Sequence, residues 1–348
     1  MMHFCTPLRF GQATAYWHCL RFNEQRVPAG KKLLRMNLDE TSISMAPALS
    51  SGLIVSRDAH RVRSFVCPGD TRTNVTYVAL VCDDRDMQKH MPHIIISSKP
   101  QMANEIHEHL QSHPEPNVHV WRNQQKAWNN SFLMLRILDQ IKNSVAHRPD
   151  IQPMLLLDTA SCHLDAAVMR KAQAAGIWLV YIPARMTSLL QPLDTHGFSS
   201  FKAWLKRQFA DLQSASKDGM VRRLDWFTVL QSAKMHFFDE RTWVSSFRET
   251  GASRPIVRFT KALGKYLTPD IARGAYNLEP SEHQLTPLWP SSRKMTYAHA
   301  LLFRAPAPST QPRGRPAKRP VPALGISIAL ASRSLKRACR QQPSRDVD

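Results

Sequence analysis

The stretch Ile151-Gln-Pro-Met-Leu-Leu-Leu-Asp158-Thr-Ala-Ser-Cys-His163 decides how this chain is to be read. Four apolar residues, Met154 to Leu157, stop abruptly on an acid. Such a run reads as a strand buried on both faces. Burying an unpaired carboxylate is costly, yet the C-terminal ends of strands are where open α/β sheets deliver functional groups. Asp158 is therefore either a site residue or the cap of the following turn, a place aspartate also favours.

Working outward, Ala166 to Ala175 is Ala-rich and helical, with Gly176 as its stop. Ile177-Trp-Leu-Val-Tyr-Ile182 is a further apolar strand ended by Pro183. Strand, helix and strand within about thirty residues make a βαβ unit and hence a parallel pair. Upstream, Lys31-Lys-Leu-Leu-Arg-Met-Asn-Leu-Asp39-Glu-Thr alternates, with Leu34, Met36 and Leu38 on one face. This is a second strand with an acid at its far end. Glu40, one residue on, would point to the opposite face, so Asp39 is the better site candidate. The alternative is an ordinary Asp-Glu-Thr turn.

Thr73 to Cys82 and His93 to Ser97 read as two more strands, joined by a solvated turn carrying Asp83, Asp84 and Asp86. His109 and His113 share a helical face, but no catalytic glutamate stands beside them, so a plain surface helix is expected. From Trp121 to Val145, Phe132, Leu135, Leu138 and Ile141 recur at helical spacing. Leu190-Gln-Pro-Leu-Asp194-Thr-His-Gly-Phe then leads into the helical, basic and aromatic Phe201 to Phe209, which leaves Asp194 near a helix start.

Two strand-borne acids and a third on a later helix could converge on a pair of divalent ions. Hard cations take oxygen ligands, and phosphodiester chemistry uses two of them to activate the attacking oxygen and stabilise the leaving one. The net charge of +20 over 348 residues points to a polyanionic partner, with nucleic acid first. Six scattered cysteines, with no Cys-x-x-Cys pair, exclude a zinc ribbon and a disulfide framework and suit a reducing compartment. The first 25 residues lack a signal-peptide pattern, and no run of eighteen apolar residues suggests a membrane span.

Three segments carry a family resemblance: Asn37-Leu-Asp39-Glu-Thr-Ser, Leu156-Leu-Asp158-Thr-Ala-Ser-Cys-His163, and Leu190-Gln-Pro-Leu-Asp194 leading to Phe201-Lys202. Together they resemble the DDE superfamily endonucleases, more narrowly the pogo, Tigger and jerky-like transposases related to Tc1/mariner elements. Asp158 and Asp194 stand 36 positions apart, within the family's usual interval. The resemblance spans roughly residues 31–210. It implies an α/β, RNase H-like mixed sheet flanked by helices. It also implies Asp39, Asp158 and Asp194 as Mg²⁺ or Mn²⁺ ligands for DNA strand cleavage and transfer. His163 matches the family's histidine after the second acid, as a phosphate contact or a loop brace. Lys202 matches its lysine after the third, as a phosphate contact. Thr159 stands where the family often has Asn.

Family members carry helix-turn-helix DNA-binding domains ahead of the first acid. With 38 residues before Asp39, target recognition by that route is not expected here.

Residues 1–30 read as a helical lead-in and 211–300 as a helical region. There Trp226, Val229, Leu230, Ala233 and Phe237 form one stripe, and Pro255 opens a helix through Leu267. From Leu301, ten Lys or Arg stand against two Asp, and seven prolines interrupt the chain, so residues 301–348 are expected to form a disordered basic tail. Within it Arg313-Gly314-Arg315-Pro316 resembles an AT-hook core, suited to narrow A·T minor grooves; a plain nuclear-import tail reads the same residues equally well. The expectation is a nuclear protein partnered with DNA, with no membrane and with a homodimer as an allowed assembly. Its activity is either that of a metal-dependent DNA endonuclease or, in a domesticated form without catalysis, DNA and chromatin binding.

Overall fold

The structure, a computed structural model, describes residues 7–46, 74–98, 102–123 and 127–277. In chain order its elements are α1 (Pro7–Gln25), β1 (Lys32–Ser44), β2 (Asn74–Cys82), α2 (Arg85–Gln88), β3 (His93–Ser98), α3 (Asn104–Ser112), β4 (Val118–Asn123), α4 (Ser131–Val145), β5 (Ile151–Leu157), α5 (Ala166–Ala174), β6 (Trp178–Tyr181) and α6 (Thr187–Leu190). A π turn (Leu193–Gly197) then runs into α7 (Phe198–Ala215). It is followed by α8 (Arg223–Ala233), a second π turn (Lys234–Asp239), α9 (Val244–Glu249) and α10 (Pro269–Asn277). No helix of the described residues is long and apolar enough to cross a membrane.

The strands form one mixed sheet in the order β4-β3-β2-β1-β5-β6. β2 runs antiparallel to both β1 and β3, while β4, β5 and β6 run parallel to their neighbours. This is the mixed sheet flanked by helices expected of an RNase H-like fold.

Alternation on β1 sorts its residues between two cores. Leu34, Met36 and Leu38 pack with the apolar stripes of α4 and α5, including Ile137, Leu138 and Val168. Ile43, on the opposite face, packs with Trp17 and Leu20 of α1, Phe201 and Leu205 of α7, and Trp226 and Leu230 of α8. β5 is buried on both faces, sending Met154 and Leu156 to one core and Leu155 and Leu157 to the other. That is why its sequence is continuously apolar.

Several expectations change. β1 does not end at Asp39; it continues to Ser44, paired only with β2 beyond Asn37. Trp121 belongs to strand β4, not to a helix running on to Val145. The helix starts ten residues later, behind Asn130, whose side chain accepts from Leu133 N–H. Its buried stripe is Leu133, Met134, Ile137, Leu138 and Ile141, and this leaves Phe132 outside. Asp83 is not solvated; it pairs with Arg35, while Asp84 caps α2. Between Pro255 and Leu267, where a helix was expected, stands one 3₁₀ turn, Leu263–Lys265. The tail with Arg313, Gly314, Arg315 and Pro316 lies outside the described residues, as do residues 278–300 of the helical region.

Gly176 ends α5 as expected, with φ of +72°. Gly251, at φ +74°, is held to glycine a second way, since a Cβ there would meet the Trp17 indole.

Candidate active site

The parallel register between β1 and β5 sets the site. Its last partners are Asn37 and Leu156, so Asp39 and Asp158 lie two residues further along adjacent strands. The pleat then aims both toward the same face. Asp158 follows the last residue of β5 immediately, as the opening stretch implied.

The third acid is brought in by a side chain that sequence reasoning quoted without assigning it a role. Asn37 is fully buried; its amide donates to Leu156 O at 3.1 Å, and its Oδ1 accepts from Leu193 N–H at 2.9 Å. One residue therefore clamps β5 and the π turn to β1, and it satisfies a backbone donor that a helix start leaves open. Asp194 was expected near a helix start in a cap position. It sits inside the π turn, next to buried Leu193. Such π turns recur where a side chain must be re-aimed.

Asp39 and Asp194 bring their carboxyls close enough to perturb each other, and Thr187 acts on Asp194 as well. Burial, then the charges of Asp194, Glu40 and Asp158, push the Asp39 carboxyl well above the usual carboxylate range. Burial also raises Asp194, with Asp158 adding repulsion; Lys202 pulls the other way.

Asp158 behaves differently. Its Oδ1 accepts from Ala160 N–H at 3.0 Å and lies 2.6 Å from His163 Nδ1. Burial alone would raise its pKa, but His163 and the Ala160 amide outweigh burial and lower it. The turn-closing alternative for Asp158 is observed, since its Oδ1 accepts from Ala160 N–H.

His163 is fully buried, and its Nε2 lies 3.5 Å from Glu40 Oε1. Burial would lower its pKa; its bonds to Asp158, Cys162 and Glu40 more than reverse that and hold it well above its ordinary range. Glu40 also accepts from Asn129 Nδ2. The line Asn129–Glu40–His163–Asp158 crosses the edge of the sheet, with Glu40 on the face opposite Asp39, as alternation required. No sequence signal tied Asn129 to this set.

Lys202 is exposed on α7 and, with Lys206, lines a depression of about 240 Å³ beside Ser42, Ser44 and Asn74. A second network, also unseen in the sequence, braces the π turn. His196 Nε2 lies 3.2 Å from Glu249 of α9, and Glu249 in turn accepts two bonds from Arg258.

The three aspartates therefore come to one edge of the sheet from three separate segments. Asp39 and Asp194 perturb each other, while Asp158 is bonded to His163. Among the described residues no three acidic, histidine or cysteine side chains are already gathered as a metal cage. The oxygen-only donors and the crowded negative charge suit a hard divalent cation.

Residues 73–238 match the model of the DDE superfamily endonuclease family. The matched stretch contains Asp158 and Asp194 and begins after Asp39. Among solved structures the chain is similar to a Mos1 transposase paired-end complex with left transposon end. The identity is 13%, over 71% of this chain and 64% of that one, at a TM-score of 0.38. It is similar to a Mos1 strand transfer complex at 13% identity, over 70% and 63%, with a TM-score of 0.35. A Mos1 mariner paired end complex with Mn gives 13%, 70%, 64% and 0.34. The chain spans less than two thirds of the length of each of these structures. No curated protein matches it.

Proposed function

We propose, from the premise that residues 73–238 belong to the DDE superfamily endonucleases, that this protein is a metal-dependent DNA endonuclease of transposase descent acting in a nucleus. The observation that carries the reading is the mutual perturbation of Asp39, Asp194 and Asp158: acids from three distant segments brought near one another where β1 and β5 run side by side, at the cost of mutual repulsion. A fold does not crowd like charges for stability, and perturbed carboxyls gathered at an edge mark functional sites.

In this reading Asp39, Asp158 and Asp194 hold Mg²⁺ or Mn²⁺ through carboxylate oxygens. The ions, when bound, activate the attacking water or hydroxyl and stabilise the leaving oxygen. His163 holds Asp158 by Oδ1. Lys202 and Lys206 take backbone phosphates of the bound strand, and the basic excess of the chain attracts the duplex. The Arg313-Gly314-Arg315-Pro316 motif adds a minor-groove contact.

A second reading, DNA or chromatin binding without cleavage, is favoured by one observation, the engagement of Asp158 with His163. Nicking of supercoiled plasmid by purified protein in Mn²⁺, beside Asp158→Asn, separates the two. Divalent-dependent nicking that drops to background in the variant is expected. Equal nicking in both would remove Asp158 from the chemistry. DNA bound without nicking would favour the second reading.

A further inference from the structure

The π turn that carries Asp194 is held at both ends by side chains from outside it. At its start Asn37 of β1 accepts from Leu193 N–H at 2.9 Å. At its end two residues of the α9 segment reach in. The Trp243 ring lies against Gly197, where a Cβ would stand 3.5 Å from it. Glu249 Oε2 lies 3.2 Å from His196 Nε2. Trp243 and Glu249 both lie beyond residue 238, where the family-matched stretch ends.

Glu249 is itself fixed from two sides. Arg258 donates to its Oε1 from Nε at 3.0 Å and from Nη2 at 2.8 Å. Thr260 N–H donates to its backbone carbonyl at 3.1 Å. A carboxylate so occupied can only accept, so His196 Nε2 carries the hydrogen between them. On the other side of the imidazole, Nδ1 lies 2.8 Å from Thr195 Oγ1, which also lies 2.8 Å from Gln191 O. The chain Arg258–Glu249–His196–Thr195 therefore ends on the residue next to Asp194.

We propose that Glu249 is a positioning residue, which through His196 holds the π turn so that the Asp194 carboxylate is presented to a divalent cation. The inference rests on the metal-dependent reading above and deepens it, by naming what sets the site's hold on the cation. The physical reason lies in the turn itself. It is closed by Phe198 N–H donating to Leu193 O, one residue more than α-helical spacing. Such geometry is rare, and an unrestrained turn would relax into the α-helix that follows it. A slip of one residue rotates a helical segment by about 100° and would swing Asp194 away from Asp39. Asn37 restrains the start of the turn. Glu249 restrains its end.

The test uses the full chain, stripped of metal and titrated with Mn²⁺ under electron paramagnetic resonance. Amide hydrogen exchange over residues 193–198 is followed separately in chelator. Glu249→Ala should weaken Mn²⁺ binding by roughly 10- to 100-fold, the range for losing a partner behind a metal ligand. It should also speed exchange at the Phe198 amide. Glu249→Gln keeps the length and an acceptor oxygen, so it should recover part of the affinity. Arg258→Ala leaves the carboxylate in place and should cost less than Glu249→Ala. Ser246→Ala is the control. It removes the 2.6 Å bond from Ser246 Oγ to Trp243 O at the start of α9, and should lower Tm while Mn²⁺ affinity stays unchanged.

Parent-like Mn²⁺ affinity in Glu249→Ala would overturn the inference, whether or not exchange changed. An equal loss of affinity in Ser246→Ala would overturn it too, because α9 would then act through stability alone. The two ideas fail in different ways. Mn²⁺ binding that is lost in Asp158→Asn but indifferent to Glu249 would sink the positioning role and keep the metal site. No Mn²⁺ binding by the parent would sink the metal reading, and with it the positioning role, leaving Glu249 as a brace of the fold.

Discussion

The two ends of one face of β1 make opposite use of charge. Arg35 and Asp39 point the same way, two pleats and about 13 Å apart. Around Arg35 the charges are complementary: Glu24 of α1 and Asp83 after β2 both pair with its guanidinium, and Arg254 adds a second cation to Glu24. Around Asp39 they are alike, with Asp194, Glu40 and Asp158 all near. The buried His163 imidazole there faces Asp158 and Glu40. The first arrangement is complete without a ligand; burial raises the Asp83 carboxyl, and Arg35 pulls it back. The second is completed by a cation from outside. An acid cluster is read as structural or functional by where its countercharge resides.

The largest effect should come from breaking the complete end. Arg35→Ala strands the Asp83 carboxylate and leaves Glu24 with Arg254 alone, a loss of about 3–5 kcal/mol. In thermal unfolding that corresponds to a Tm lower by roughly 10 °C or more. A variant within a degree or two of the parent would mean that Glu24 and Asp83 are satisfied without Arg35.

Filling the open end should come next. Divalent cation at about a hundred times its Kd should stabilise the parent by about 2.7 kcal/mol. The same addition should move Asp39→Asn much less. Equal shifts in both would place the cation elsewhere.

The smallest effect has the opposite sign to the first. In chelator, Asp39→Asn removes a carboxyl held against its neighbours and should raise Tm by a few degrees, about 1 kcal/mol. The pH dependence follows from the direction of its shift. A carboxyl raised in the folded state contributes its full stability below the unfolded value of about 3.9 and loses it as pH rises through the folded value. Metal-free parent protein should therefore weaken as pH climbs above that ordinary range, and Asp39→Asn should weaken less. A parent whose stability instead rises with pH through that window would contradict the crowding of Asp39.

Legibility in the sequence followed the range of the interactions. β5, α5 and β6 were readable because a doubly buried strand is continuously apolar and Gly176 marks the helix stop. β1 was readable in its pleat but not in its length. Asp39, Glu40 and Thr41 look like a turn until pairing with β2 carries the strand on to Ser44. β4 was hidden because Val118-His-Val-Trp runs into an apolar stretch whose helical period is legible only behind the Asn130 cap. Phe132 was assigned to the buried stripe for the same reason. The π turn left no local mark, being imposed by Asn37 across 156 residues.

Residue types and their order were enough to establish the α/β sheet, the basic excess and three acids in family-like spacing, since alternation, burial and charge are local properties of a chain. Which acids crowd each other and which one is tied to His163 came from tertiary packing. Those outcomes depend on distances between segments far apart in sequence, and on a desolvation that exists only once both cores have closed around β1 and β5.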